Sequence, residues 1–79
     1  MTRTQSERNL NIRAGVNIRK ARLEKGLSQA ELAARLTAFG ITTDVVRLSK
    51  IESGIWGVTL SEMLAFSEVL DMPYQRLFQ

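Results

Sequence analysis

The sequence predicts a small, compact all-α domain, and three observations support this prediction. The chain has 79 residues with one proline and five glycines, so few positions interrupt a helix. Its longest stretches are rich in alanine, leucine, glutamate, arginine and lysine, which favour helices over strands. Apolar residues recur at spacings of three and four, as on one face of a helix. We expect five helices, over about residues 7–25, 28–39, 44–53, 59–70 and 73–78.

The first helix follows a short polar segment. Residues 1–6 carry no capping signal, and we expect them to form a flexible N-terminal arm in front of a single domain over residues 7–79. Gly26 ends the helix, and Lys25 suits the negative end of the helix dipole. The predicted apolar stripe consists of Leu10, Ala14, Ile18 and Ala21.

The second and third helices have clear start and stop signals. Ser28 caps the second helix, and Glu31, three residues further on, completes a capping box. The third helix is capped by Asp44 or Thr43. A glycine follows each helix, Gly40 after the second and Gly54 after the third.

The last two helices meet at the single proline. Thr59 or Ser61 begins the fourth helix. Pro73 cannot continue its hydrogen-bond ladder but suits the first turn of a short fifth helix. The apolar stripe of the fourth helix is predicted to contain Leu60, Met63 or Leu64, Ser67 and Leu70.

Charge is distributed unevenly along the chain. Residues 1–50 hold ten basic and four acidic side chains, a balance of +6, whereas residues 51–79 hold one basic and four acidic, a balance of −3. A basic half of this kind favours a polyanionic partner. Mild basicity also serves solubility in small helical proteins, so charge alone does not decide the function.

The composition excludes several kinds of chemistry. Cysteine and histidine are both absent, which removes disulfides, thiolate nucleophiles, the commonest general base and nearly all zinc sites. The glutamates occupy ordinary helix positions, without paired carboxylates or a phosphate-binding loop. No apolar run reaches the roughly 18 residues of a membrane span. We therefore expect a cytoplasmic binding module without enzymatic activity, metal, cofactor or membrane partner.

Two motifs carry a family resemblance. The first is Ile18-Arg19-x-x-Arg22-x-x-x-Gly26-Leu27-Ser28-Gln29-x-x-Leu32-Ala33, and the second is Leu48-Ser49-Lys50-Ile51-Glu52-x-Gly54. Together with the leucine-rich C-terminal stretch, they resemble the phage repressor and Cro (Xre-type) family of helix-turn-helix DNA-binding domains. The resemblance covers about residues 12–78 and combines cap, core, charge-pair and terminator positions in the family's order.

The resemblance implies that the third helix enters the DNA major groove and that the second lies across the DNA backbone. The residues implied to contact bases are Val45, Val46, Arg47 and Lys50. Helical periodicity also places three of them outward but leaves Val45 undecided. The phosphate contacts are expected from Ser28, Gln29, Arg19, Arg35 and Thr43. Lysine and arginine donate to guanine O6 and N7, whereas valine packs against a thymine methyl group.

Similar proteins use a salt bridge at the positions of Arg22 and Glu52, and periodicity places Glu52 on the inward face of the third helix. We expect this pair to be structural, because a lone buried carboxylate is costly. Related repressors dimerise through the loop after the third helix and through the C-terminus. This implies a dimer interface of Ile55, Trp56, Val58 and Phe78. The ring of Trp56 either anchors that interface or covers the small core.

One departure from the family pattern concerns the connection between the second and third helices. Seven residues, Thr37–Thr43, separate Leu36 from Asp44, where about three or four are usual. Either the second helix is longer by a turn, with Phe39 and Ile41 packed inward, or the hydroxyls of Thr42 and Thr43 reach phosphates.

The sequence thus predicts a sequence-specific regulator of transcription, a repressor that binds an inverted repeat in double-stranded DNA as a homodimer. The alternative is an antitoxin-like or adaptor module that binds a partner protein and in which DNA contact is secondary or lost.

Overall fold

Four α-helices and one 3₁₀ helix make up residues 5–79, the part of the chain that the computed structural model describes. The helices are α1 (Gln5–Glu24), α2 (Gln29–Phe39), α3 (Val45–Glu52) and α4 (Leu60–Val69), and the C-terminal 3₁₀ helix spans Tyr74–Phe78. This architecture confirms the predicted all-α fold. Among the described residues, no helix has the length and apolar character to cross a membrane.

The helix starts follow the local sequence. Ser28, Asp44 and Thr59 are the N-caps of α2, α3 and α4, each accepting a hydrogen bond from a backbone amide three residues on. The capping box of Ser28 with Glu31 is present. A second box joins Thr59 to Glu62, which the sequence analysis did not identify.

The N-terminal boundary differs from the prediction. α1 begins at Gln5, so Gln5 and Ser6 are helical and do not belong to the expected arm. The side-chain amide of Gln5 donates to Oδ1 of Asn9 at 3.2 Å, a one-turn contact that supports the additional residues. The rest of the expected arm, residues 1–4, lies outside the described residues.

The core lies where α1, α2, α3, α4 and the C-terminal 3₁₀ helix meet. Its largest fully buried side chains are Ile18, Leu32, Leu36, Leu48, Ile51, Phe66 and Leu77. The C-terminus is held against α1, because Nδ2 of Asn17 donates to the carbonyl oxygens of Leu77 at 2.8 Å and of Gln79 at 3.0 Å.

Several apolar residues that were expected in the core are exposed. In α1 the inward row runs through Asn11, Ala14 and Ile18, and Leu10 falls one position outside it. In α4 the inward side carries Glu62, Ala65 and Phe66. The helix is therefore rotated relative to the predicted stripe, and Leu60, at 70% exposure, and Leu64 face outward.

The first part of the long connection between Leu36 and Asp44 is helical and extends α2, which is the first of the two alternatives given above. The helix continues to Phe39 and ends at Gly40, whose φ of 113° is the left-handed conformation that glycine permits. Phe39 is exposed, so the prediction that it packs inward is wrong. Ile41, the other residue of that alternative, does pack against the core.

Candidate nucleic-acid interface

α3 has one side in the core and one side toward solvent. Its buried residues are Leu48, Ile51 and Glu52. On the opposite side Val46 is 64% exposed, Val45 and Ser49 are also exposed, and Lys50 is half-buried. Val45, which periodicity left undecided, is exposed in the first turn of the helix. Ser49 is an additional exposed polar residue of α3 that the sequence analysis did not select.

A buried ion pair fixes the C-terminal end of α3. Nε and Nη2 of Arg22 donate to Oε2 and Oε1 of Glu52 at 2.7 and 2.9 Å, and the two side chains are only 8% and 4% exposed. Nη1 of Arg22 also donates to the carbonyl of Leu27 at 2.9 Å. The hydrogen bond to Glu52 raises the pKa of Arg22 above its ordinary value. The pair expected from the resemblance is thus present and serves a structural role.

A second ion pair, which the sequence analysis missed, lies at the N-terminal half of α3. Nε and Nη2 of Arg47 donate to Oε2 and Oε1 of Glu62 at 2.6 and 2.7 Å. Oε1 of Glu62 also accepts from the backbone amide of Thr59 at 2.8 Å. The guanidinium carbon of Arg47 lies 5.6 Å from the centre of the Trp56 ring. The one local signal for this arrangement was the Thr59-x-x-Glu62 spacing of a capping box.

This second pair is charged. Burial acts to raise the pKa of Glu62, but the hydrogen bonds from Arg47 and from the Thr59 amide outweigh it, and the pKa is lowered. The hydrogen bond to Glu62 raises the pKa of Arg47. The sequence predicts Arg47 among the base contacts, whereas its guanidinium is engaged within the protein. The outer surface of α3 is therefore formed by Val45, Val46, Ser49 and Lys50.

The predicted phosphate contacts are distributed around α3. A shallow cleft of about 400 Å³ brings Arg19 and Gln29 next to Ser49. Nε2 of Gln29 donates to Oε1 of Glu52 at 3.2 Å, so this side chain is half-buried at the start of α2. Arg35 is exposed on α2, and Thr43 is half-buried directly before the cap of α3.

Ser28 already uses its polar groups in the capping box. Its hydroxyl accepts from the Glu31 amide at 3.0 Å, and its own amide donates to Oε1 of Glu31 at 2.9 Å. The hydrogen bond from the Ser28 amide to this carboxylate lowers the pKa of Glu31. Ser28 is exposed beside Gln29, and its hydroxyl is used as the N-cap of α2.

The expected dimer residues fall into two groups. Ile55 and Trp56 are exposed in the loop after α3, with Trp56 at 40% exposure. Val58 and Phe78 pack against the core and are half-buried, which leaves little of either side chain for a partner. On α1, Ile12 is exposed and lines a surface cavity of about 510 Å³ together with Ile55 and Trp56. The Trp56 ring lies over the guanidinium of Arg47 and is exposed on its outer side.

Residues 5–79 contain no group of three or more acidic side chains placed to hold a metal ion. The site has instead the properties of a surface that binds another molecule: an exposed helix face, basic side chains beside it and a rigid frame below.

Comparison with known proteins identifies this arrangement. Residues 18–77 match the helix-turn-helix family HTH_3. The chain belongs to this helix-turn-helix family. Its helix-turn-helix unit is α2 and α3 with the connection between them, and membership of the family makes the chain a DNA-binding protein with α3 as its exposed second helix.

Two solved structures are similar to this chain. The restriction-modification controller protein C.AhdI from Aeromonas hydrophila superposes with a TM-score of 0.73 and 30% identity, over 85% of this chain and 94% of that one. The hypothetical transcription factor NHTF from Neisseria superposes with a TM-score of 0.78 and 25% identity, over 100% of this chain and 85% of that one. A comparison with curated protein sequences found no significant match.

Proposed function

We propose that this protein is a sequence-specific transcriptional regulator, a repressor that binds an inverted-repeat operator as a homodimer with α3 in the major groove. The observation that carries the proposal is the geometry of α3. One side of this helix is sunk in the core, the outer side is exposed, and a bidentate ion pair holds each half. A rigid exposed helix of this kind suits the groove of a duplex.

The proposed base contacts are the outward residues of α3. Lys50 would donate to guanine O6 and N7, and Val45 and Val46 would pack against thymine methyl groups. The hydroxyl of Ser49 adds a group that can pair with either kind of base. We remove Arg47 from the base-contacting set, because its guanidinium is bound to Glu62. The preferred site would therefore combine G·C and T·A base pairs.

The proposed phosphate contacts surround this helix. Arg19, Gln29 and the exposed start of α2 lie on one side of α3, and Arg35 and Thr43 are the further candidates. The balance of +6 in residues 1–50 favours approach of this half of the chain to DNA. Such contacts give affinity and register without sequence information.

We base the proposed homodimer on the apolar surface next to α3. Ile12, Ile55 and Trp56 are exposed beside one another, and burying them between two copies would present two α3 helices to one duplex. Recognition helices of such a dimer lie about 34 Å apart, so half-site centres would be separated by about ten base pairs.

The similar structures give the proposal its regulatory context. One is described as a restriction-modification controller protein and the other as a hypothetical transcription factor. We propose repression rather than activation of transcription because the sequence resembles phage repressors. A regulator of this kind would act at the nucleoid, in the cytoplasm of a prokaryotic cell.

Selection of bound duplexes from a random DNA pool tests the proposal. We expect a preferred sequence with two-fold symmetry, and Lys50→Ala should relax the preference at one position in each half-site. Analytical ultracentrifugation with and without the selected duplex gives the number of protein chains bound. Recovery of random sequence at low salt would contradict sequence-specific binding.

The alternative, a partner-binding adaptor, is supported by the exposed Ile55 and Trp56. A Val46→Ala/Lys50→Ala variant separates the two functions, because both residues lie on the outer side of α3. If the variant folds and loses both DNA binding and regulation in cells, the result supports a DNA-binding regulator. If regulation persists without DNA binding, the result supports a partner-binding adaptor.

A further inference from the structure

The Glu62 cluster consists of Arg47 from α3, Glu62 from α4 and Trp56 from the loop between them. Both oxygens of Glu62 accept from the Arg47 guanidinium, and Trp56 lies over that guanidinium. The Glu62 side chain is 7% exposed and that of Arg47 is 31% exposed. The cluster thus connects three consecutive segments of the chain at the edge of the proposed DNA-binding surface.

The cluster complements the Arg22–Glu52 pair. Glu52 is the last residue of α3 and Arg47 is the third, so one pair holds each half of an eight-residue helix. Without the Arg47 contact, α3 would be held by the buried Leu48 and Ile51 and by the Glu52 pair, and its N-terminal end would have the most freedom to move. The residues most displaced by such a movement are Val45 and Val46, at the N-terminal end.

Two of the donors of Arg47 are committed in this arrangement. A bidentate contact to guanine needs two N–H groups on one edge of the guanidinium, and the edge of Nε and Nη2 already faces Glu62, which leaves only the end-on edge of Nη1 and Nη2. Turning Arg47 toward a base would also leave the buried Glu62 carboxylate without its cation, which is costly. Contact with Glu62 and bidentate contact through the same edge exclude each other.

We propose that Arg47 is a positioning residue for sequence recognition: held by Glu62 and covered by Trp56, it fixes the orientation in which α3 presents Val46 and Lys50, and it does not itself contact bases. This inference rests on the proposed function. On this proposal, the Glu62 cluster determines how well the protein discriminates between DNA sequences, and it contributes little to the overall affinity for DNA.

Glu62→Gln tests the proposal, because the two possible roles of Arg47 predict opposite changes in DNA sequence discrimination. Glutamine keeps the capping box with Thr59 but removes the charge that holds Arg47. If Arg47 positions α3, the ratio of affinities for the selected duplex and a scrambled duplex should fall, by about threefold to thirtyfold. If Arg47 instead contacts bases, the exchange frees its guanidinium, and the ratio should rise or stay unchanged, which would overturn the proposal.

Glu31→Gln is the matched control. Glu31 occupies the same position in the capping box of α2, and the structure gives it no bidentate arginine partner. Both exchanges remove one negative charge from a DNA-binding domain, so affinity for the scrambled duplex should increase slightly and equally in both. The control should retain the wild-type ratio, and an equal loss in both variants would contradict a specific role for the Glu62 cluster.

Trp56 provides a readout in the absence of DNA, because it is the single tryptophan of the chain. Glu62→Gln and Arg47→Lys should both change its fluorescence emission, whereas Glu31→Gln should not. Unchanged emission in both cluster variants would overturn the proposal. If the wild-type protein selects no sequence at all, the proposed function fails first, and the selection experiment shows this independently of any variant.

Discussion

Gly15 of α1 lies directly against the backbone of Glu52 in α3: a β-carbon at Gly15 would stand 2.7 Å from the carbonyl oxygen of Glu52. The two helices therefore meet backbone to backbone at the end of α3 that the Arg22–Glu52 pair also holds. This close approach fixes the depth of α3 in the core, and with it how far the outer side of the helix projects.

We expect Gly15→Ala to destabilise the fold. The added methyl group meets main-chain atoms rather than a side chain that can move away, and overpacking of this kind costs about 1–3 kcal/mol, partly offset by the better helix propensity of alanine. Thermal unfolding followed by circular dichroism measures the change. Gly26→Asn is the control, since no atom of residues 5–79 lies within 4 Å of the added carbon and asparagine tolerates the φ of 70°. Equal melting temperatures for wild type and Gly15→Ala would contradict the close contact.

Removal of one partner from the buried Arg22–Glu52 pair should strongly destabilise the fold. Arg22→Met leaves a carboxylate that is 4% exposed without its cation, at an expected cost of about 3–5 kcal/mol in the free energy of unfolding. Urea unfolding measures this cost. In the exposed pair of Arg76 with Glu24, whose nitrogen–oxygen distance is 3.6 Å, Glu24→Gln should cost less than about 1 kcal/mol. Similar costs for the two variants would show that burial does not strengthen the first pair.

The Glu62 cluster predicts a specific loss of stability in acid. The pKa of Glu62 is lowered in the folded protein, so the native state binds fewer protons than the unfolded chain. Its contribution is complete above the unfolded value, about 4.3, and is lost as the pH falls through the lowered native pKa. The melting temperature of wild type should therefore fall more steeply below about pH 4.5 than that of Glu62→Gln. Parallel pH profiles would contradict the prediction, and Glu68→Gln, an exposed exchange in the same helix, controls for the lost charge.

The starts and ends of most helices were predictable, because the residues that cap and stop a helix lie next to its ends in the sequence. Each cap needs a residue of the right type three positions before an available amide, as at Ser28 and Asp44, and the sequence shows this directly. The glycine stops are equally local, since Gly26, Gly40 and Gly54 all have the positive φ that favours this residue. The Arg22–Glu52 pair joins two separate helices, and the family resemblance supplied it.

The rotation of α4 was not predictable from its own sequence. Leu60 and Leu64 have the spacing of a core stripe, yet both are exposed, and the inward side of α4 carries Ala65 and Phe66 together with Glu62, which meets Arg47 from another helix. The buried carboxylate of Glu62 needs the guanidinium of Arg47, which lies 15 residues away in the sequence. Hydropathy and helix propensity do not predict a contact between two such distant residues. The same contact removed Arg47 from the outer side of α3, where periodicity alone had placed it.

DNA binding should depend steeply on salt, and the slope tests which arginines meet phosphates. Each neutralised phosphate contributes about 0.9 to the slope of log affinity against log salt concentration. Arg19→Ala and Arg35→Ala should each reduce the slope by about one, with similar losses for selected and scrambled duplexes, because a phosphate contact carries no sequence information. Arg76→Ala, an exposed arginine in the C-terminal 3₁₀ helix, should leave the slope unchanged. A slope that is the same for Arg19→Ala, Arg35→Ala and wild type would remove these two residues from the phosphate contacts. The remaining candidates would then be Gln29, Thr43 and the start of α2.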